Sequence, residues 1–178
     1  MIAILGCDHC LQSPESKGPF LSEVDQTTRA RRQREGFLKT LEKVIEENGC
    51  TLVAEETVHG QTTPGSTLAQ KLGLKYRNID MTAAERAATG IPLDSESSDD
   101  YSPEQKEQWY RQRERHMAEQ IEKARSKKES VLVVCGALHM VQLETYFLNK
   151  GEKVITHDLT QASWFSGPLS TEWLFEDG

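Results

Sequence analysis

Ile2-Ala3-Ile4-Leu5-Gly6-Cys7-Asp8-His9 and Val131-Leu132-Val133-Val134-Cys135-Gly136-Ala137-Leu138-His139 decide the fold of this chain. Each is an uninterrupted apolar run that breaks at a glycine and reaches a histidine three residues later. A short run with no polar alternation suits a strand buried on both faces, and such strands belong to parallel sheets covered by helices. Thr51-Leu52-Val53-Ala54 is a third run of this kind and empties straight into Glu55-Glu56.

Helical periodicity fills the intervals. Over residues 27–48, Phe37, Leu38, Leu41, Val44 and Ile45 recur at three- and four-residue spacing, and Asn48-Gly49 supplies a stop. Ser66 is read as the cap of a short helix to Leu72, residues 74–80 as a strand, and Met81-Thr82 as the start of a short helix ended by Gly90 and Pro92. An acidic connection over 94–100 leads to Ser102-Pro103-Glu104, a helix start whose helix can run to Lys128. A further helix over 137–149 and a strand over 153–156 complete the pattern, and a tail bearing Trp164, Phe165, Trp173 and Phe175 is expected to pack back on the body. Strands alternating with helices predict one α/β domain over residues 1–178, with a largely parallel central sheet of about five strands flanked by helices.

Composition narrows the partners. The 178 residues carry 28 acidic and 21 basic side chains, a net charge of −7, and the bases are interleaved with acids. No basic stripe offers itself to nucleic acid. The opening apolar run is strand-sized, without a basic leader, and no run approaches the ~20 apolar residues of a membrane span. A cytoplasmic protein with no membrane partner is the expectation. The cysteines Cys7, Cys10, Cys50 and Cys135 lie in or beside strands of a chain large enough to fold without staples, so no disulfide framework is expected. Cys7-Asp8-His9-Cys10 contains a CxxC, but no second ligand pair completes a structural zinc motif.

In an open parallel sheet the site lies beyond the carboxyl ends of the strands. Here those ends deliver His9, Glu55-Glu56, Asp80, His139 and His157-Asp158. Two imidazoles with Glu55 or Glu56 make a plausible transition-metal site, or a base and an acid for hydrolysis. On the long helix, Tyr110, Met117, Ile121 and Ala124 form an apolar stripe that also carries Arg113. A core-facing arginine needs a carboxylate, a carbonyl or a bound anion. His59 and His116 lack such context and read as surface residues.

With these residues in order, the chain resembles the superfamily that joins erythromycin esterases, haem-binding ChaN-like lipoproteins, TraB proteins and Tiki metalloproteases. The resemblance rests on the two GxxH motifs (Gly6 to His9, Gly136 to His139), the pair Glu55-Glu56, Asp80, and the helical R-x-x-x-M-A of Arg113, Met117 and Ala118. It implies hydrolysis of an ester, amide or peptide bond. His9, His139 and Glu55 would then hold a divalent ion (manganese, zinc or cobalt), Glu55 or Glu56 would activate water, and Arg113 would steady developing charge. In a metal-free variant His9 is the general base. The ChaN-like branch implies the alternative, a non-catalytic module that binds haem, iron or a small metabolite. A third reading is a partner-binding domain that uses its acidic loop. Cys7, Cys10 and Cys135 are not required by the family pattern, and the extra helical lobes of larger relatives are missing.

Overall fold

The structure, a computed structural model, describes residues 1–12, 23–92 and 100–165. The expected acidic connection lies almost wholly outside them, as do Trp173 and Phe175. Five strands, β1 (Ile2–Cys7), β2 (Cys50–Glu55), β3 (Lys75–Asn78), β4 (Ser130–Gly136) and β5 (Val154–Asp158), form one sheet in the order β3-β2-β4-β1-β5. Every pairing is parallel, as the uninterrupted apolar runs of the central strands β1, β2 and β4 predict. β1 and β4 lie side by side, with Gly6 opposite Cys135 and Cys7 opposite Gly136, so the two GxxH motifs leave the sheet next to each other.

The helices are α1 (Glu23–Asn48), α2 (Pro64–Lys71), α3 (Ala83–Thr89), α4 (Pro103–Ala124) and α5 (Met140–Asn149). Strand alternation sends odd and even residues to opposite sides, and each side has its own core. Ala3, Leu5, Val53, Leu132 and Val134 pack against Phe37, Leu41 and Val44 of α1 and Leu68 and Ala69 of α2. Ile2, Ile4, Leu52, Ala54, Val131 and Val133 pack against Met117, Ala118 and Ile121 of α4 and Leu143 and Phe147 of α5. Each fully buried large side chain contributes about 1.5–3 kcal/mol, which is why the four-residue runs have no tolerance for polar interruption. Trp164 and Phe165 pack on the first of these cores, as expected of the tail.

Several boundaries differ from the sequence reading, and three of them have a visible cause. Thr63, not Ser66, caps α2: its Oγ1 accepts the Ser66 N–H at 2.9 Å, with Pro64 preset for the first helical position. α4 stops at Ala124 instead of Lys128, because Arg125 pairs with Glu152 at 2.5 Å and Glu129 accepts the Ser126 N–H at 3.0 Å to close the following turn. β3 ends at Asn78, whose side chain accepts the Asp80 N–H at 3.0 Å and bends the chain off the sheet edge. That bend places Asp80 over the strand ends.

Candidate functional site

Glu55 and Glu56 are adjacent in sequence and opposite in space. Glu55 follows Val53 toward the α1 and α2 side, while Glu56 follows Leu52 and Ala54 toward α4 and α5. The Glu56 N–H donates to Val134 O at 2.8 Å, extending the ladder by one residue, so the carboxylate is held as firmly as a strand residue.

Glu56 is 1 % exposed, and three donors meet its carboxylate. Its Oε1 accepts from Arg113 Nη2 at 2.7 Å and lies 3.3 Å from His139 Nε2, and its Oε2 accepts the Gly136 N–H at 2.8 Å. His139 Nδ1 meets Glu114 Oε1 at 3.0 Å, and the Tyr110 ring stands edge-on to the imidazole at 5.6 Å. Arg113 also reaches Asp80 Oδ1, at 3.3 Å from Nη2, and Arg86 Nη2 holds the other Asp80 oxygen at 2.9 Å. The result is a buried line of alternating charge: Glu114, His139, Glu56, Arg113, Asp80, Arg86. The arginine on the apolar stripe has its partner, a pair of protein carboxylates.

Electrostatics follow from this line. Burial alone would raise the Glu56 carboxyl, but the hydrogen bond and charge of His139, with the charges of His9 and Arg113, reverse that and hold it at about 2. Burial would likewise strip His139 of its proton, yet hydrogen bonds to Glu114 and Glu56 outweigh it and lift the imidazole to about 9. At neutral pH His139 is therefore an imidazolium donating from both nitrogens to carboxylates.

His9 opens a short 3-10 turn, His9–Leu11, directly beyond β1, and is exposed. Its Nδ1 lies 2.9 Å from Gln12 Oε1. The rest of the ring lies over Gly136, where a side-chain carbon would sit 2.9 Å from His9 Nε2 and 3.5 Å from Glu56 Oε2. Gly6 does the reciprocal service: a carbon there would meet Ala137 Cα and Met140 Sδ at 3.1 Å each. The glycine of each GxxH thus clears space for the other motif.

Glu55 has a separate environment. Its Oε2 accepts from Thr63 Oγ1 at 2.5 Å and Tyr76 OH at 3.0 Å, and its Oε1 from Gln12 Nε2 at 3.2 Å. Burial raises this carboxyl despite those donors. Of the residues named from sequence, Glu56, Arg113, Asp80 and His139 share one network with His9 beside it. Glu55 reaches that group through Gln12, whose amide touches both Glu55 Oε1 and the Glu56 carbonyl. His157 is exposed on the edge strand β5, apart from this group. His59 is exposed yet lies 2.8 Å from the Asp80 carbonyl through Nε2, and with His116 it lines a cleft of about 290 Å³ beside β3. Cys7 and Cys135 are buried free thiols that burial pushes far up, so neither offers a thiolate. Sequence reasoning misses Gln12 and Glu114. Gln12 stands in a polar loop and Glu114 among the alternating charges of α4, with no spacing to mark them.

An open, all-parallel α/β sheet with a buried ionic network at its carboxyl edge defines the class: an α/β protein with its site at the strand ends. The chain belongs to the TraB/PrgY/gumN family, whose model matches residues 23–152. The resemblance drawn from the motifs holds for its TraB branch. The match covers Glu55, Glu56, Asp80, Arg113 and the second GxxH; the first GxxH precedes it. No curated protein and no solved structure matches the chain significantly.

A divalent ion of the kind the Tiki likeness implies needs three protein donors with free lone pairs. Among the described residues no group of three or more His, Cys, Asp and Glu side chains is arranged to hold one. His139 is spent on two carboxylates, Glu55 faces the other side of the sheet, and Glu56 carries three donors. Among the described residues the donors left over are His9 Nε2 and one lone pair of Glu56, a set that does not fit a metal.

Proposed function

We propose that the chain is a hydrolase of an ester, amide or peptide bond in which His9 activates water without a metal. The observation that carries this reading is the unequal state of the two histidines. His139 has both nitrogens bound to carboxylates, whereas His9 engages Gln12 through Nδ1 and turns Nε2 toward the strand ends. Family membership supports the class, and a TraB-type core is compatible with several chemistries.

His9 Nε2 takes a proton from water as the oxygen adds to the carbonyl carbon, and returns it to the leaving oxygen or nitrogen as the C–O or C–N bond breaks. Glu56, held ionised, is too weak a base to compete and instead anchors His139 and Arg113. Arg113 acts as a positioning residue, because its guanidinium is 4 % exposed and committed to Glu56 and Asp80. The substrate is a small molecule or a peptide.

The test is turnover of ester and peptide panels by the native chain and by His9→Gln and His139→Gln, with elemental analysis of each preparation. Loss of about 10²-fold or more in kcat for His9→Gln, with no stoichiometric metal in the native protein, is the expected result. Stoichiometric manganese, zinc or cobalt that vanishes in either variant would overturn the metal-free mechanism. A native chain that turns over nothing but takes up haem, iron or a metabolite would move the alternative, a non-catalytic binding module of the ChaN-like type, to first place.

A further inference from the structure

We infer that Gln12 is a positioning residue that sets the tautomer of His9, keeping the hydrogen on Nδ1 and leaving Nε2 bare. The inference rests on the reading of His9 as the base and names the residue that prepares it. Its evidence is a chain of donor and acceptor parity, which requires no knowledge of hydrogen positions. Gln12 is 3 % exposed, and one end of its amide lies 2.9 Å from the main-chain carbonyl of Glu56 and 3.2 Å from Glu55 Oε1. A carbonyl oxygen only accepts, so the amide end that faces it must be the NH2 group. The carboxylate of Glu55 asks for the same orientation.

The other end of the amide is therefore the oxygen, and it faces His9 Nδ1 at 2.9 Å. An amide oxygen also only accepts. Nδ1 must then carry the hydrogen, and in the neutral ring Nε2 has none. A histidine side chain free in water favours the opposite tautomer, with the hydrogen on Nε2, which would blunt the very nitrogen that lies over Gly136. The glutamate pair acquires distinct roles through this residue. Glu56 supplies a main-chain oxygen and Glu55 a side-chain oxygen, and together they clamp the amide from two sides. Thr63 and Tyr76 hold Glu55 in turn. A buried relay therefore runs from α2 and β3 to the one imidazole of the site that stays open to solvent.

The decisive reading is the imidazole nitrogen spectrum of the uniformly 15N-labelled full chain, recorded without substrate at a pH where His9 is neutral and assigned by its loss in His9→Gln. Native His9 is expected to show a protonated Nδ1 and a bare Nε2. Gln12→Met removes both the acceptor and the clamp, and the tautomer is expected to revert to the hydrogen on Nε2. A backbone amide spectrum of Gln12→Met that matches the native chain away from the site is expected alongside, which separates tautomer control from a mere loss of folding. In a hydrolysis assay, Gln12→Met is expected to lower kcat by at least about tenfold with KM unchanged, as a misdirected imidazole does. Native His9 with its hydrogen on Nε2, or an unchanged tautomer in Gln12→Met, would overturn the inference. The spectrum is read without turnover, so failure to find a substrate would count against the hydrolase reading and leave the tautomer result standing.

Discussion

Gly6 and Gly136 occupy equivalent places in the two motifs, yet a methyl group at each would have different consequences. At Gly136 the nearest atom is His9 Nε2, 2.9 Å away, at the tip of an exposed side chain that can swing aside. At Gly6 the nearest atoms include Ala137 Cα at 3.1 Å, part of a backbone that cannot move without the start of α5. Gly136→Ala is therefore expected to cost under about 1 kcal/mol while displacing the base and abolishing most activity. Gly6→Ala is expected to cost about 1–3 kcal/mol, the range for overfilling a packed position. Urea unfolding of the two variants beside an activity assay checks the contrast. Equal stability losses with equal activities would show that His9 is not held against Gly136.

Among the elements, α2 has the most to lose at one side chain. Thr63 Oγ1 accepts the Ser66 N–H as the helix cap and donates its own hydrogen to the buried Glu55 carboxylate. Thr63→Ala removes a cap worth about 1 kcal/mol and leaves a buried acceptor short of a donor at about 1–3 kcal/mol more. A loss of about 2–4 kcal/mol is expected in urea unfolding, with Thr63→Ser restoring most of it; a loss no larger than that of an ordinary cap would show that the bond to Glu55 contributes nothing. The cap illustrates what sequence allows at this scale. The apolar runs place the three central strands because burial on both faces of a sheet leaves no other pattern, whereas the half-exposed β3 and β5 and the short helices are legible from alternation and from caps and stops. The Thr-Pro pair at 63–64 also signals its cap, and Ser66 draws attention only because it is a capping type. The early end of α4 has no local signal, since no glycine or proline marks it and its cause is the distant Glu152. For the site, the GxxH pair, Asp80 and Arg113 are legible from strand ends and one stripe. The division of Glu55 from Glu56 follows from the two-residue period of a strand and is there to be used. Gln12 and Glu114 are illegible because their roles are set by partners 44 and 25 residues away.

At the scale of the whole molecule the buried charges tie stability to pH, with a sign that differs from group to group. Around His139 stand Glu114 on α4, Glu56 beyond β2, Arg113 and the Tyr110 ring, and their balance raises the imidazole from its ordinary 6.5 to about 9. A raised base gives its full stabilisation below 6.5 and loses it as pH climbs through about 9. Glu56 is lowered from 4.5 to about 2, so its contribution is complete above 4.5 and is lost as pH falls toward 2. Glu55 is shifted the other way by burial, and its preference for the proton favours the folded chain as pH falls. On the acid side the two glutamates oppose each other, whereas on the alkaline side His139 has no such counterweight among them. The urea midpoint is therefore expected to fall between about pH 6.5 and 9.5 by the equivalent of on the order of 3 kcal/mol, the value of that rise in a single group. His139→Gln should make the decline shallower, leaving the part due to the buried thiols Cys7, Cys50 and Cys135, whose raised titration also favours unfolding as pH passes about 9, while lowering stability at about pH 6. A native midpoint that stays level across this range would mean that His139 is neutral in the folded chain. One of its nitrogens would then be free to act, and the choice of His9 as the base would lose its ground.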